Sequence, residues 1–300
     1  MKLSYLIIAH QQPELFKRLL HKLLLGESEI FVFIDARADI DLFKINSERV
    51  HFLKNRFVIN RGGFSQTQAM IRLLEFSEKS KSDFFVFLSG QDYPIKPIFK
   101  LEDFLTSNPN KNFISFYELH HSAEYLHHLN RFYLTDFLSK TPLAFRWILQ
   151  NCLRVLNMLG APRKFFKNIK PYRGSTSWVL NADTVHYILN FVYQKQGKAL
   201  LRYMSWCWGS DEMFFQTVVL NSPFKTQCFL FAECQSIEKP TNENKAYLHY
   251  IDWSNHREMP AVLTEHDFEI LQQSSCFFAR KFDLKKSKTP FRRPGPYGWT

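Results

Sequence analysis

Two clusters of charged residues in this 300-residue chain are of the types that do proton-transfer and phosphate chemistry. The first is the carboxylate pair Asp211-Glu212, which precedes an apolar helical run. A positioned carboxylate can take a proton from a hydroxyl group. The second is the pair Arg280-Lys281, whose planar fork and compact charge can stabilise phosphate groups. Both clusters also have purely structural interpretations. Asp211 can cap a helix, and the Glu212 carboxylate can interact favourably with the positive end of the helix dipole. A pair of basic residues is common on protein surfaces.

Two further groups of residues have side chains that could bind a metal, but the position of one group and the spacing of the other argue against it. Asp39-Ile40-Asp41 is an Asp-x-Asp sequence, whose two carboxylates are of the type that can hold a divalent metal such as manganese. It follows the second predicted strand in a polar loop, so we interpret both aspartates as turn and helix-cap residues. Four histidines occur as two adjacent pairs, which do not give the i, i+4 geometry of a helical zinc site. We therefore expect these histidines to lie on helix surfaces or in the core. They are His120, His121, His127 and His128.

The first third of the chain predicts the elements that position such residues. Continuous apolar runs, typical of strands buried on both faces, alternate with amphipathic helical patterns. This alternation indicates a Rossmann-like half with a mostly parallel sheet, in which ligands bind beyond the carboxyl ends of the strands. Asp35 and the segment 89–94 follow two of these strands. The predicted strands are 3–9, 30–34, 50–58 and 84–88, and the predicted helices run from Pro13 to before Gly26 and over 67–77.

The rest of the chain shows no clean linker, so we predict one α/β domain over residues 1–284. We divide this domain into the halves 1–115 and 116–284. We expect helices over 116–170, 185–193 and 211–220, a turn and strand over 172–180, and late strands over 229–232 and 247–253. Residues 285–300 form a basic, Pro- and Gly-containing tail that cannot bury a core.

Composition narrows the function classes. The net charge of +11 favours phosphates, anionic lipid or acidic glycans as partners, although solubility alone is an alternative. No zinc-finger spacing, RNP-like motif or basic helix indicates nucleic acid. Five cysteines without a CxxC pair favour a reducing compartment. No apolar run reaches the roughly 18 residues of a membrane span, so we expect a cytoplasmic protein.

Four segments, in order along nearly the whole chain, carry a resemblance to a known family. They are Leu88-Ser89-Gly90-Gln91-Asp92-Tyr93-Pro94-Ile95, Tyr172-Arg173-Gly174-Ser175-Thr176-Ser177-Trp178, Trp208-Gly209-Ser210-Asp211-Glu212-Met213-Phe214-Phe215-Gln216-Thr217 and Phe277-Phe278-Ala279-Arg280-Lys281-Phe282. Together they resemble the core-2/I-branching N-acetylglucosaminyltransferase family, which includes peptide O-xylosyltransferases. The resemblance implies a GT-A-like fold, a UDP-sugar donor, inversion at the anomeric carbon, and no catalytic metal or other cofactor.

The resemblance also implies that the half 1–115 binds the nucleotide and the half 116–284 the acceptor and diphosphate, and it implies roles for individual residues. Glu212 is the expected general base, and Arg280 and Lys281 are expected to bind the diphosphate. His10, Asp35 and Arg37 lie where the family contacts the nucleotide, although Phe33 stands where it often has His. The expected sugar-contacting residues are Asp92, Ser175, Trp178, Trp208 and Asp211, with Trp206 and Tyr172 as further aromatic candidates. Any of these aromatic residues could instead lie in the core, which is the preferred interpretation for Trp178.

The absence of an apparent anchor and disulfides suggests a bacterial-type member that builds a surface polysaccharide or lipooligosaccharide. We expect transfer of N-acetylglucosamine or a xylose-like sugar in β linkage to a glycan or lipid-linked acceptor. The basic tail would attract the enzyme to the anionic inner face of the membrane. Two alternatives stay open: a degenerate protein that only binds glycan or nucleotide, and a metal-dependent retaining transferase.

Overall fold

The computed structural model describes residues 1–119, 123–159, 163–229, 245–246, 248–253 and 260–286. Its strands are β1 Leu3–Ala9, β2 Ser28–Ile34, β3 Val50–Phe52, β4 Phe84–Ser89, β5 Tyr93–Pro94, β6 Phe113–Ile114, β7 Tyr117–Glu118, β8 Tyr172–Arg173, β9 Trp178–Asn181, β10 Lys245–Ala246, β11 His249–Ile251 and β12 Phe278–Arg280. Its α-helices are α1 Pro13–Leu23, α2 Phe64–Ser77, α3 Ile98–Thr106, α4 Ala123–Asn130, α5 Thr135–Lys140, α6 Leu143–Leu159, α7 Ala182–Tyr193, α8 Lys195–Met204, α9 Phe214–Leu220 and α10 Phe268–Gln273. Short 3₁₀ turns include Ile40–Leu42 and Ser210–Glu212.

The central sheet has six strands in the order β3-β2-β1-β4-β9-β6. The first four are parallel, and β9 runs antiparallel to both β4 and β6. A second, smaller sheet has the order β10-β11-β12-β5, and β7 pairs with β8. The prediction of a mixed α/β fold with a mostly parallel central sheet is confirmed.

Helices cover the central sheet on both faces and divide the core into two layers. Leu3, Tyr5 and Ile7 of β1 pack in the layer with α1 and α3. Leu6 of the same strand faces the opposite layer, which contains α2, α7 and α9. Because neighbouring side chains of a strand point to opposite faces, burial on both sides requires the continuous apolar runs seen in β1, β2 and β4.

Some predicted boundaries differ from the structure. The third strand ends at Phe52 rather than Val58 because a turn follows, in which the Arg56 backbone N–H donates to the Lys54 carbonyl at 3.0 Å. The late strand predicted over 247–253 is limited to β11. Of the other predicted late strand, 229–232, Phe229 lies in a turn next to an isolated bridge between Cys228 and Asn112, and 230–232 lie outside the described residues.

Candidate active site

The sheet topology brings most of the predicted site to one edge. The parallel strands β1, β2 and β4 end at Ala9, Ile34 and Ser89. Strand β9 begins at this edge because it is antiparallel to β4, with Val179 opposite Val86. The segment before β9 therefore lies beside the carboxyl ends of the parallel strands, where ligands bind in open α/β sheets.

Asp35 lies directly after β2 and fixes Arg37 at this edge. Its carboxylate accepts hydrogen bonds from the Arg37 backbone N–H at 2.8 Å, from Arg37 Nε at 2.9 Å and from the Ile59 backbone N–H at 2.9 Å. Burial alone would raise the pKa of Asp35, but the bonds from Arg37 and Ile59 outweigh it and lower the pKa. Asp35 is buried while Arg37 is 60% exposed, so the pair presents a cation to solvent near exposed His10.

Asp92 has a different position from the one predicted. Its side chain is fully buried and accepts hydrogen bonds from the Ser89 backbone N–H and hydroxyl, both at 2.7 Å. Oδ1 lies 3.5 Å from Arg280 Nε, and Oδ2 lies 3.7 Å from Nε2 of buried His249. Burial opposes ionisation, but Arg280 and then His249 lower the pKa of Asp92. The structure therefore gives Asp92 no exposed surface for a sugar hydroxyl and places it as the buried counter-ion of Arg280.

Arg280 and Lys281 reach the site through the second sheet. Strand β12 is antiparallel to β5, with Ala279 opposite Tyr93, so Arg280 lies next to Asp92. The Lys281 carbonyl accepts from the Leu263 backbone N–H at 2.9 Å, which holds the chain after the strand. The Arg280 side chain is 26% exposed. A cation held from behind by a buried carboxylate can still bind an anion in front of it.

Glu212 forms the second charged cluster of the site. It ends the 3₁₀ turn Ser210–Glu212, and its backbone carbonyl accepts from the Gly174 N–H at 2.8 Å. Its Oε2 accepts a hydrogen bond from Arg173 Nη2, in a pair whose Arg side chain is 10% exposed and whose Glu side chain is 32% exposed. The buried Arg173 therefore holds the Glu212 carboxylate in place, while part of that carboxylate stays accessible to solvent.

From the sequence, no role in the site was assigned to three residues near Glu212, which are Arg173, Tyr125 and His128. Arg173 lies in one of the family motifs without a predicted role, and its guanidinium also packs over the Tyr125 ring at 4.5 Å. Arg173 Nη1 lies 2.8 Å from His128 Nδ1. Burial, Arg173 and His127 lower the pKa of His128 to about 4, so the neutral ring accepts from Arg173. The one sequence signal for Arg173 was its place in the Tyr-Arg-Gly motif. Helix periodicity could place His128 on a helix, but it could not show that Arg173 is its partner.

Asp211 does not cap a helix as predicted. The following helix begins at Phe214 with Met213 at its N-cap and no side-chain cap. Asp211 is buried and accepts a hydrogen bond from the Thr176 hydroxyl at 3.0 Å. Burial and the neighbouring Glu212 charge raise the pKa of Asp211 to about 7. Asp211 therefore supports the turn that carries Glu212.

The aromatic candidates divide into core and surface residues. Trp178 is fully buried between Phe87, at a ring distance of 5.4 Å, and Phe215, at 5.2 Å. The structure thus shows Trp178 in the core position preferred for it from the sequence, and not exposed for contact with sugar, and Tyr172 is also buried. A face that is covered by protein cannot stack on a ligand.

Trp208 and Trp206 retain accessible surface. The Trp208 ring packs on Gly62, where an added Cβ would lie 2.5 Å from the ring and where φ is +71°. Glycine is needed there for both reasons. Trp206 is 38% exposed. The half-buried Ser175 holds the adjacent loop, since its carbonyl accepts from Gln216 Nε2 at 2.6 Å.

The Asp-x-Asp sequence has the structural role predicted for it. The Asp39 carboxylate accepts from the Asp41 backbone N–H at 3.0 Å, and Asp41 pairs with Lys44 at 2.6 Å. Within the described part of the chain, no three His, Cys, Asp or Glu side chains converge as metal ligands would. His120 and His121 of the histidine set lie outside that part. No described helix is long and apolar enough to cross a bilayer.

Comparison with known proteins identifies the family. The model of the Core-2/I-Branching enzyme family matches residues 3–274. Xylosyltransferase 2 of Rattus norvegicus is 26% identical over 94% of this chain and 32% of its own length. Xylosyltransferase oxt of Drosophila melanogaster is 27% identical over 89% of this chain and 30% of its own length. The chain thus spans about a third of the length of these curated relatives. On the extent of the family match, the chain belongs to the Core-2/I-Branching enzyme family of glycosyltransferases.

Proposed function

We propose that this protein is an inverting, metal-independent glycosyltransferase that moves a sugar from a UDP-sugar to a glycan hydroxyl in β linkage. The observation that carries the proposal is the pair of charged groups at the active-site edge. Glu212 is a partly exposed carboxylate held by Arg173, and Arg280 is a partly exposed cation held by Asp92. A base and a phosphate-stabilising cation are the two groups that a single displacement requires.

The proposed step is a direct displacement at the anomeric carbon. The acceptor oxygen forms a bond to that carbon while its proton passes to Glu212 Oε1, since Oε2 is engaged by Arg173. The bond from the anomeric carbon to the UDP oxygen breaks, and its electron pair stays on the diphosphate. Arg280 and Lys281 stabilise this charge by electrostatic interaction and hydrogen bonds. Attack from the face opposite the leaving group inverts the configuration.

A metal is not needed for this step if the basic pair carries the diphosphate charge. Asp39 and Asp41, the Asp-x-Asp candidate, are engaged in a turn and with Lys44. Arg37, held by Asp35, is the residue that we propose for contact with the nucleotide, together with His10. A cation on a rigid support suits an anionic or oxygen-rich ligand.

The donor that we propose carries xylose or N-acetylglucosamine, in line with the xylosyltransferase names of the relatives. Trp208 and Trp206 would offer ring surface to the acceptor, because aromatic faces pack on the apolar faces of sugars. We propose a role in surface polysaccharide or lipooligosaccharide synthesis at the cytoplasmic face of the membrane. The basic tail 285–300 would assist there, but 287–300 lie outside the described residues.

The test is incubation of the full chain with UDP-xylose and UDP-N-acetylglucosamine, each with a panel of glycan acceptors. We expect release of UDP that depends on acceptor, and a β-linked product from the α-linked donor by NMR. An α-linked product would contradict inversion. Donor binding, seen as a raised Tm, without UDP release for any acceptor would instead support the degenerate binding protein.

A further inference from the structure

Helix α6, Leu143–Leu159, has an apolar face that the protein core does not cover. Its large exposed side chains at i, i+3, i+10 and i+11 lie on one side of the helix, which we name the α6 apolar face. They are Phe145, Ile148, Val155 and Leu156. Trp147 and Met158 flank this face and are 71% and 82% exposed. Side chains at these spacings form a continuous stripe.

The opposite side of α6 is attached to the rest of the protein by polar contacts. Asn157 Oδ1 accepts from the Phe132 backbone N–H at 2.9 Å, and its Nδ2 donates to the Phe132 carbonyl at 3.1 Å. Arg146 donates from Nε to the Thr141 carbonyl at 2.7 Å and from Nη2 to the Ser139 carbonyl at 3.1 Å. The helix is therefore oriented, with its apolar face directed away from the body of the protein.

The chain around α6 has an unusually one-sided charge. Residues 131–170 contain one acidic side chain, Asp136, which accepts from the Ser65 backbone N–H at 2.7 Å and from Asn60 Nδ2 at 2.9 Å. The basic residues of the same segment are Arg131, Lys140, Arg146, Arg154, Arg163, Lys164, Lys167 and Lys170. Of these basic residues, Lys170 pairs with Glu118 at 3.4 Å, but the segment keeps an excess of positive charge. A surface that combines apolar side chains with an excess of positive charge complements an anionic, apolar partner.

We propose that the α6 apolar face inserts into the interfacial region of an anionic lipid bilayer. A helix that lies in this region buries its apolar side in the headgroup–acyl boundary while basic side chains contact anionic headgroups. Trp147 has the residue type that prefers such boundaries. This attachment involves a folded helix and does not depend on the proposed reaction or on the tail.

The position of α6 gives the attachment a functional consequence. Only Thr141 and Pro142 separate it from α5, whose Asp136 accepts a hydrogen bond from the backbone N–H of Ser65 in the first turn of α2. Gly62, beneath Trp208, lies just before that helix. A bilayer that contacts α6 would therefore lie near the aromatic side of the active site. An acceptor anchored in that bilayer could reach Glu212 without leaving the surface.

The test compares two triple variants of the full chain by co-sedimentation with vesicles. Phe145→Ser/Ile148→Ser/Leu156→Ser removes the α6 apolar face. Leu25→Ser/Leu42→Ser/Phe99→Ser is the matched control, because it removes three similarly exposed apolar side chains elsewhere. Vesicles of phosphatidylcholine with phosphatidylglycerol are compared with phosphatidylcholine alone, and thermal unfolding verifies that each variant folds.

We expect the parent and the control to bind the anionic vesicles, and the α6 variant to lose at least about tenfold in partition coefficient, because three inserted side chains are lost. Arg154→Glu should weaken binding to the same vesicles at low salt and have less effect near 1 M salt, where the Debye length is about 3 Å. Equal binding of both triple variants, or no binding of the parent, would overturn the proposal. A parent dimer that the α6 variant converts to monomer, with unchanged vesicle binding, would assign the face to a second copy of the chain instead.

Discussion

Arginine–carboxylate pairs occur in two regions of the active site with opposite burial. At the carboxyl ends of the parallel strands, the carboxylates of Asp35 and Asp92 are buried, and their partners Arg37 and Arg280 reach solvent. Around the turn before α9 the order is reversed, because Arg173 is buried and Glu212 is the more exposed partner. The same residue types therefore present cations in one region and a carboxylate in the other.

This difference in burial determines which member of each arginine–carboxylate pair is accessible to a ligand. A buried charge needs a counter-charge and hydrogen bonds, so the deeper partner acts as a support with a fixed position. The outer partner keeps part of its surface for interaction with a ligand. The strand-end region is then suited to the anionic half of a nucleotide sugar, and the Glu212 region to a hydroxyl that must lose a proton.

The largest expected effect comes from neutralising the exposed carboxylate. Glu212→Gln should lower transfer about 10²- to 10⁴-fold, because the amide cannot accept the acceptor proton. Donor affinity, measured by the rise of Tm with UDP-sugar, should stay near the parental value because the strand-end region is unchanged. Transfer at the parental rate would show that Glu212 is not the base.

Substitution of Arg280 and of its neighbour Lys281 should have similar effects on activity but different effects on stability. Either substitution by Ala should lower kcat/KM by about 10- to 100-fold through loss of diphosphate stabilisation. Arg280→Ala should lower the free energy of unfolding by about 1–3 kcal/mol more than Lys281→Ala does, because it removes the counter-charge of buried Asp92. Urea unfolding of both variants at pH 7 measures the difference.

The double variant Arg280→Ala/Asp92→Asn sharpens this test. Replacing both charges should recover part of the lost stability, since no unpaired buried carboxylate is left, but it should not recover activity. Equal stability of the two single variants would show that Asp92 does not depend on Arg280.

A smaller effect concerns Asp211, which lies behind Glu212. Its raised pKa means that the folded protein keeps this proton at a pH where the unfolded chain has released it. The free energy of unfolding should therefore fall as pH rises from about 4 to about 7, through this group alone. Asp211→Asn should be about 1–3 kcal/mol more stable than the parent at pH 8 and nearly equal at pH 4. Urea unfolding at both pH values checks this, and an equal difference at the two would exclude the titration of Asp211 as its cause.

The smallest expected effect is that of a chelator. If Arg280 and Lys281 carry the diphosphate charge, UDP release should be unchanged in excess EDTA. The control is the same assay with added manganese, which should give no increase. Complete loss of activity in EDTA that manganese restores would contradict the metal-independent step and the assignment of the strand-end cations.

Much of the architecture was predictable because its signals are local. The apolar runs of β1, β2 and β4 specify buried strands by themselves, and α1 follows from its leucine spacing between Pro13 and Gly26. The order of four short motifs was sufficient to predict the family, which the match over 3–274 confirms. The roles of Glu212, Arg280 and Lys281 stay predictions until activity is measured.

Contacts between distant segments were decided only by the tertiary structure. Asp92 meets Arg280 because β12 pairs antiparallel with β5, and Arg173 meets Glu212 because the Gly174 backbone bonds to the turn before α9. The motif of Trp178 was compatible with sugar stacking and with the preferred core position, and β9 places its ring in the core. Residue type and local periodicity determine which side chains can do chemistry. Strand direction and register determine which of them meet and which reach solvent, and these depend on pairings between residues far apart in the chain.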